Sequence, residues 1–176
     1  MAIVSQSELI LQRGEWKRNG KSVVCAAGVF DLLHPGHIRL LEQARGLGDI
    51  LVVGLQSDAS VRSSTQQDAA RGGVGDASGG AAAAQRPVTL AMERAEILMA
   101  LAAVDFVAEF DEPTPRELFA RLSPDVVVKG GEAGSQESVF LDDEAVRAAG
   151  GRVVRMPLEP GYSTSFLLER ISQFHA

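Results

Sequence analysis

From Ser22 onward, short β-branched and apolar runs alternate with stretches whose apolar positions recur at helical spacing. Val23–Ala26 reads as a strand and Ile38–Arg45 as a helix. Ile50–Leu55 is almost purely apolar, the pattern of a strand buried on both faces. After a long gap come a helix over about Leu90–Ala103 and a strand at Phe106–Phe110. Thr114-Pro115-Arg116-Glu117 predicts a capping box, with proline at the first position of a helix that ends near Leu122. Val126–Val128 is the next strand, and a helix over about Asp142–Ala149 stops at Gly150-Gly151. Val153–Met156 and Thr164–Phe174 supply the last strand and helix. Five strands separated by helices predict an α/β fold with a doubly wound, Rossmann-like, five-stranded parallel sheet. Such sheets bind ligands beyond the carboxyl ends of their strands, where the strand order reverses.

Two segments stand apart from this alternation. Ser5-Gln6-Ser7-Glu8 resembles a capping box, so a helix over about Gln6–Lys17 forms an N-terminal helical extension (1–21) ahead of the main domain (22–176). Residues 63–85 are rich in Gly, Ala, Ser and Gln and nearly devoid of large apolar side chains, which predicts a mobile loop.

At 176 residues with 45% hydrophobic content, the chain suits one domain with a real core. The net charge of −6 argues against nucleic acid and against anionic membrane surfaces as general partners. Any phosphorylated ligand must therefore be held by local groups. Cys25 is the only cysteine, so an internal disulfide is excluded and a reducing compartment is expected. A basic leader followed by an apolar stretch is missing, and no apolar run approaches the roughly 20 residues that span a bilayer. The expectation is a cytoplasmic protein.

The first chemistry-bearing segment is Gly28-Val29-Phe30-Asp31-Leu32-Leu33-His34-Pro35-Gly36-His37. A glycine directly after a strand lets backbone approach a ligand closely or turn sharply, and Gly28, Val29 and Phe30 are candidate nucleotide contacts. Pro35 suits a first helical position, and the N–H groups of Gly36 and His37 then fall in a first turn, where they form an anion site. Gly36 keeps no side chain between that turn and a phosphate. His34 and His37, three residues apart, share one side of the helix start and can donate to phosphate oxygens during an in-line displacement. The plainer alternative makes His34 an N-cap and His37 a partly buried histidine; Asp31 likewise suits either a turn or a ligand.

The decapeptide resembles the signature of the cytidylyltransferase-like nucleotidyltransferases, which carry a His-x-Gly-His site. That resemblance implies that His34 and His37 contact the triphosphate and stabilise the transition state. Lys129, Gly130, Gly131 and Glu132 follow a strand that breaks into glycines, a shape that can wrap a base and ribose, although a solvated loop would read the same. Ser163, Thr164 and Ser165 open the last helix after a glycine; capping explains one of these hydroxyls, and the resemblance implies that the segment is a second phosphate cradle. The resemblance also places Arg94 on phosphates and Asp58 on the acceptor. Without it, Arg94 would pair with Glu93 or Glu96 at the surface, and Asp58 would cap a helix.

Within the family, the ordered series Leu47–Gly54, Ser57–Val61, Arg86-Pro87-Val88, Val104-Asp105, Thr114-Pro115, Pro124–Gly131 and Pro160–Thr164 is most similar to heptose 1-phosphate adenylyltransferases. That likeness implies ATP and a phosphorylated sugar as substrates, release of pyrophosphate, Mg²⁺ on the triphosphate, a homodimer, and a separate sugar kinase in the same pathway. Three departures mark the chain. A lysine usual before Arg86 is missing, with Arg62, Arg71 or Arg86 as substitutes; Ala26-Ala27 replaces a polar pair; and Glu132-Ala133 stands where Asp-Tyr is usual. The alternatives are a CTP-dependent cytidylyltransferase acting on glycerol phosphate or another alcohol phosphate, a nucleotide-binding protein with impaired catalysis, and a purely structural domain.

Overall fold

A computed structural model of the chain describes residues 2–70, 86–131, 143–157 and 159–174. The strands are β1 (Ala2–Ile3), β2 (Val23–Gly28), β3 (Ile50–Gln56), β4 (Phe106–Phe110), β5 (Val126–Gly130) and β6 (Arg152–Met156). The helices are α1 (Gln6–Arg18), α2 (Pro35–Arg45), α3 (Asp58–Ala70), α4 (Ala91–Met99), α5 (Arg116–Leu122), α6 (Asp143–Ala148) and α7 (Thr164–Gln173).

Every strand pairing is parallel, and the sheet order is β1-β4-β3-β2-β5-β6. All five expected strands form. A sixth, β1, adds an edge by pairing Ala2 with Phe106 and Ile3 with Val107; two residues are too few to show a strand period in the sequence.

The apolar runs divide by parity, as a pleated strand requires. Val24, Ala26, Leu51 and Val53 face one core with Leu41 and Ala44 of α2 and Leu98 of α4. Val23, Cys25, Val52 and Val127 face the other core with Leu9 of α1 and Leu118, Phe119 and Leu122 of α5. Both faces are covered, which explains why β3 carries no polar alternation.

α1 starts at a true capping box, with Ser5 Oγ accepting the Glu8 N–H and the Glu8 carboxylate accepting the Ser5 N–H. It is bound to the sheet by more than Leu9. Arg13 Nη2 lies 3.1 Å from Asp125 Oδ2 and donates to the Ser123 carbonyl at 3.0 Å. Asp125 Oδ2 in turn accepts the Val23 N–H at 2.7 Å. This brace joins the amino ends of β2 and β5.

Three expectations change. Residues 63–70 are helical, the latter part of α3, while 71–85 lie outside the described residues. α3 is anchored at its start: Ser57 Oγ accepts the Ser60 N–H at 3.2 Å, and Gln56 Nε2 donates to Ser60 Oγ at 2.8 Å. Polar contacts thus hold a helix that composition alone does not announce. At α5, Pro115 is the N-cap residue and no side chain caps the helix, so the expected Thr114 box does not form. α4 ends at Met99, and Leu101 and Val104 continue it only as turns. Among the described residues, no helix is long and apolar enough to cross a membrane.

Candidate active site

β2 has β3 on one side and β5 on the other, so the strand order reverses at β2 and β5, where Ala26 pairs with Val128. The connections beyond Gly28 and Gly130 open a crevice at that point. A cleft of about 360 Å³ lies there, with His34, His37, Lys129, Ser163 and Thr164 on its walls.

His34 caps α2 with its own ring. Its backbone is extended (φ −137°, ψ 166°), and Nδ1 accepts the His37 N–H at 3.3 Å. An accepting Nδ1 carries no proton, so the neutral ring holds its proton on Nε2 and keeps that donor for the cleft. The His34 and His37 rings stack with centroids 3.8 Å apart and an interplanar angle of 17°. Burial holds the His34 imidazole below its ordinary range. Burial, and then the neighbouring His34, push His37 down to about 4. Both rings are therefore neutral at pH 7. The Nδ1 of His37 is buried without a hydrogen-bond partner among the described residues.

The helix-start anion site differs from expectation. The His37 N–H is taken by the His34 carbonyl (2.9 Å) and ring, and the Ile38 N–H by the same carbonyl (3.3 Å). His34 takes the N-cap place and also lies on the cleft wall. Gly36 serves the stack: a Cβ there would stand 3.0 Å from His34 Nδ1 and 3.3 Å from Tyr162 Cβ.

Gly28, Val29, Phe30 and Asp31 also line the cleft. Phe30 is buried and holds a left-handed φ of 48°; its ring lies 5.3 Å from that of His37. Asp31 Oδ1 accepts the Thr89 N–H at 2.9 Å, while Oδ2 is buried without a partner among the described residues. Asp31 is thus a turn acceptor on the cleft wall.

Lys129 is buried on the cleft wall beside Gly130. Gly131 (φ 91°) donates to the Met156 carbonyl at 2.9 Å, continuing the β5–β6 edge rather than lining the cleft. Ser163 caps α7, with Oγ accepting the Phe166 N–H at 3.0 Å. Glu132 and the side chain of Ser165 lie outside the described residues. Arg86 lines the cleft.

Arg94 and Asp58 are placed differently from the implied roles. Arg94 is wholly buried, and its Nη2 lies 2.6 Å from Asp58 Oδ1. Neither residue is on the cleft wall, because their charges satisfy each other inside the protein.

Sequence reasoning missed Arg39, Leu40 and Gln43, although with Gly36 they fall at i, i+3, i+4 and i+7 on one face of α2. Arg39 pairs with Glu159 and sits 5.4 Å from the Tyr162 ring centroid, joining α2 to the turn before α7 at the cleft. No local pattern announces that long-range pair. Phe110, Pro113 and Pro115 add apolar side chains to the cleft lining.

Residues 25–71 match the family model described as Cytidylyltransferase-like. The chain is 43% identical over 168 residues to the bifunctional protein HldE of Rhodopseudomonas palustris, covering 96% of this chain and 30% of that protein. Against the protein of the same name from Koribacter versatilis, identity is 44% over 168 residues, covering 96% and 31%. The chain thus spans less than a third of the length of the curated relatives it matches. A solved lipopolysaccharide core biosynthesis protein from Thermoplasma volcanium aligns with a TM-score of 0.56 at 24% identity, covering 80% of this chain and 98% of that one. Pantoate-beta-alanine ligase from Francisella tularensis aligns with a TM-score of 0.58 at 13% identity, covering 90% and 69%. At these identities the two structures speak for the fold.

Proposed function

We propose that this chain, whose residues 25–71 match the cytidylyltransferase-like family model, transfers AMP from ATP to a sugar 1-phosphate, heptose 1-phosphate in particular, and releases pyrophosphate. The observation that carries this reading is the stacked pair of neutral imidazoles at the β2–α2 turn, facing one cleft with Lys129 and the start of α7. The acceptor's phosphate oxygen attacks the α-phosphorus, the bond to the β-phosphate bridging oxygen breaks, and pyrophosphate leaves with that electron pair. His34 Nε2–H donates to phosphate oxygens as charge builds, and the orphaned His37 Nδ1 belongs to the same donor set when it carries that ring's proton. Lys129 and Arg86 supply local positive charge at the cleft of a protein whose net charge is −6.

Magnesium enters this reading on the nucleotide. The described residues hold no group of three or more His, Cys, Asp or Glu side chains able to take a metal. The Asp31 carboxylate, with one buried oxygen unpaired, suits the single protein ligand that a phosphate-borne Mg²⁺ needs. Because the relatives are about three times longer, a sugar kinase acting on the same pathway would reside outside these residues, and a homodimer belongs to the same proposal.

Pyrophosphate release measured across ATP and CTP, each with heptose 1-phosphate or glycerol phosphate, tests the proposal. Turnover only with ATP and the sugar phosphate supports it. Turnover with CTP and glycerol phosphate moves the chain to the cytidylyltransferase reading. Nucleotide-dependent thermal stabilisation without turnover marks a binding protein; Ala27 on the cleft wall, where the family carries a polar residue, favours that second reading.

A further inference from the structure

Four residues from three stretches of the chain meet on one guanidinium. Arg94 donates from Nε to the Thr89 carbonyl at 2.9 Å, from Nη1 to the Val29 and Gln56 carbonyls, and from Nη2 to the Asp58 carboxylate. The Thr89 N–H donates to Asp31 Oδ1, which closes a ring from Arg94 through Val29, Phe30, Asp31 and Thr89 back to Arg94. Phe30 sits between the two anchored points of that ring. It is the residue with φ 48°, a left-handed conformation that a bulky side chain rarely adopts unless its surroundings impose it. Its ring fills the space beside Gly28, where a Cβ would stand 3.2 Å from Phe30 Cε2, and packs against His37.

We infer that Arg94 is a positioning residue: by gripping the Val29 carbonyl it holds Phe30 in its left-handed turn, and through the Phe30 ring it sets the place of His37. Direct contact with a nucleotide phosphate, the role that resemblance alone would give this arginine, does not suit a guanidinium buried among three carbonyls and a carboxylate. The same grip on Gln56 fixes the end of β3 at the cleft. The kinetic consequence rests on the proposed transfer reaction, whereas the structural consequence does not.

The test uses the full chain with isotope-labelled histidine, comparing wild type with Arg94→Lys after circular dichroism confirms folding. A lysine keeps the charge beside Asp58 but cannot bridge four acceptors. Burial is expected to hold the wild-type His37 midpoint down at about 4; in Arg94→Lys the ring is less enclosed, and the midpoint is expected to move up toward 6.5. In the transfer assay kcat falls by roughly 10²-fold while the nucleotide KM stays within about threefold, the mark of lost alignment rather than lost binding. An unmoved His37 midpoint overturns the inference, and so does a raised nucleotide KM at unchanged kcat. The titration stands even if no turnover is found for any nucleotide, so failure of the reaction reading and failure of this inference are told apart. Should Arg94→Lys not fold, Asp31→Ala opens the same ring at Thr89. Loss of that carboxylate by itself makes His37 harder to protonate, so an upward move reports the turn, and a downward or absent one overturns the inference.

Discussion

His34 and His37 are held to each other twice: the Nδ1 of His34 accepts the His37 N–H at 3.3 Å, and the two rings stack at 3.8 Å. One ring therefore caps a helix with one nitrogen and keeps a donor with the other, and the two duties can be separated by substitution.

His34→Asn supplies an N-cap oxygen but no donor at the Nε2 position, whereas His34→Ala supplies neither. His34→Ala is expected to cost about 1 kcal/mol, lowering Tm by about 2–4 °C, with His34→Asn close to wild type. Both lose turnover by at least about 10²-fold. Thermal melts beside pyrophosphate assays check this; a His34→Asn enzyme with wild-type turnover would remove the ring from the chemistry.

The depressed His37 sets a pH dependence of stability. Above about 6.5 the ring is neutral in both folded and unfolded chains, and it contributes no slope. As pH falls from 6.5 toward 4 the unfolded chain takes a proton that the folded one refuses, so stability drops, by on the order of 3 kcal/mol once both have titrated. Burial lowers His34 as well, which acts in the same direction. Urea unfolding between pH 7 and pH 4 measures the slope, and His37→Gln flattens it.

Gly36→Ala puts a methyl group 3.0 Å from His34 Nδ1, inside a helix where alanine is otherwise favoured by about 1 kcal/mol. The ring must shift to make room. The expected outcome is a chain as stable as wild type that turns over about tenfold more slowly, read from paired melts and kinetics. An equally active variant would show that the stack tolerates displacement.

Gly151→Ala tests the frame instead of the cleft. Its Cβ would lie 2.5 Å from the Pro124 carbonyl oxygen and 3.2 Å from Val146 Cγ1, so backbone has to move. A loss of about 1–3 kcal/mol is expected in chemical denaturation, with nucleotide KM unchanged in the protein that remains folded.

Much of this arrangement was legible because its causes are local. Pro35 and Gly36 fix a helix start after a strand, and the double-faced apolar runs announce a parallel sheet. What escaped the sequence depends on groups that meet only in three dimensions. Arg94 looks like a surface helix residue until Val29, Gln56 and Thr89 bring their carbonyls to it. α3 runs through Ser63 and Ser64 with little apolar content, because Gln56, Ser57 and Ser60 fasten its first turn by hydrogen bonds. The Arg39–Glu159 pair joins residues 120 positions apart, beyond the reach of any periodicity.

The Arg13–Asp125 brace has a practical corollary for anyone trimming or re-engineering the chain. Cutting before Ser22 would strip Leu9 from its pocket and leave Asp125 with Val23 but no counter-charge, so a shortened version designed around the sheet alone is expected to be insoluble or molten. The anchorage sits at the end of the strands away from the crevice. The crevice lining can therefore be altered while the anchor stays intact.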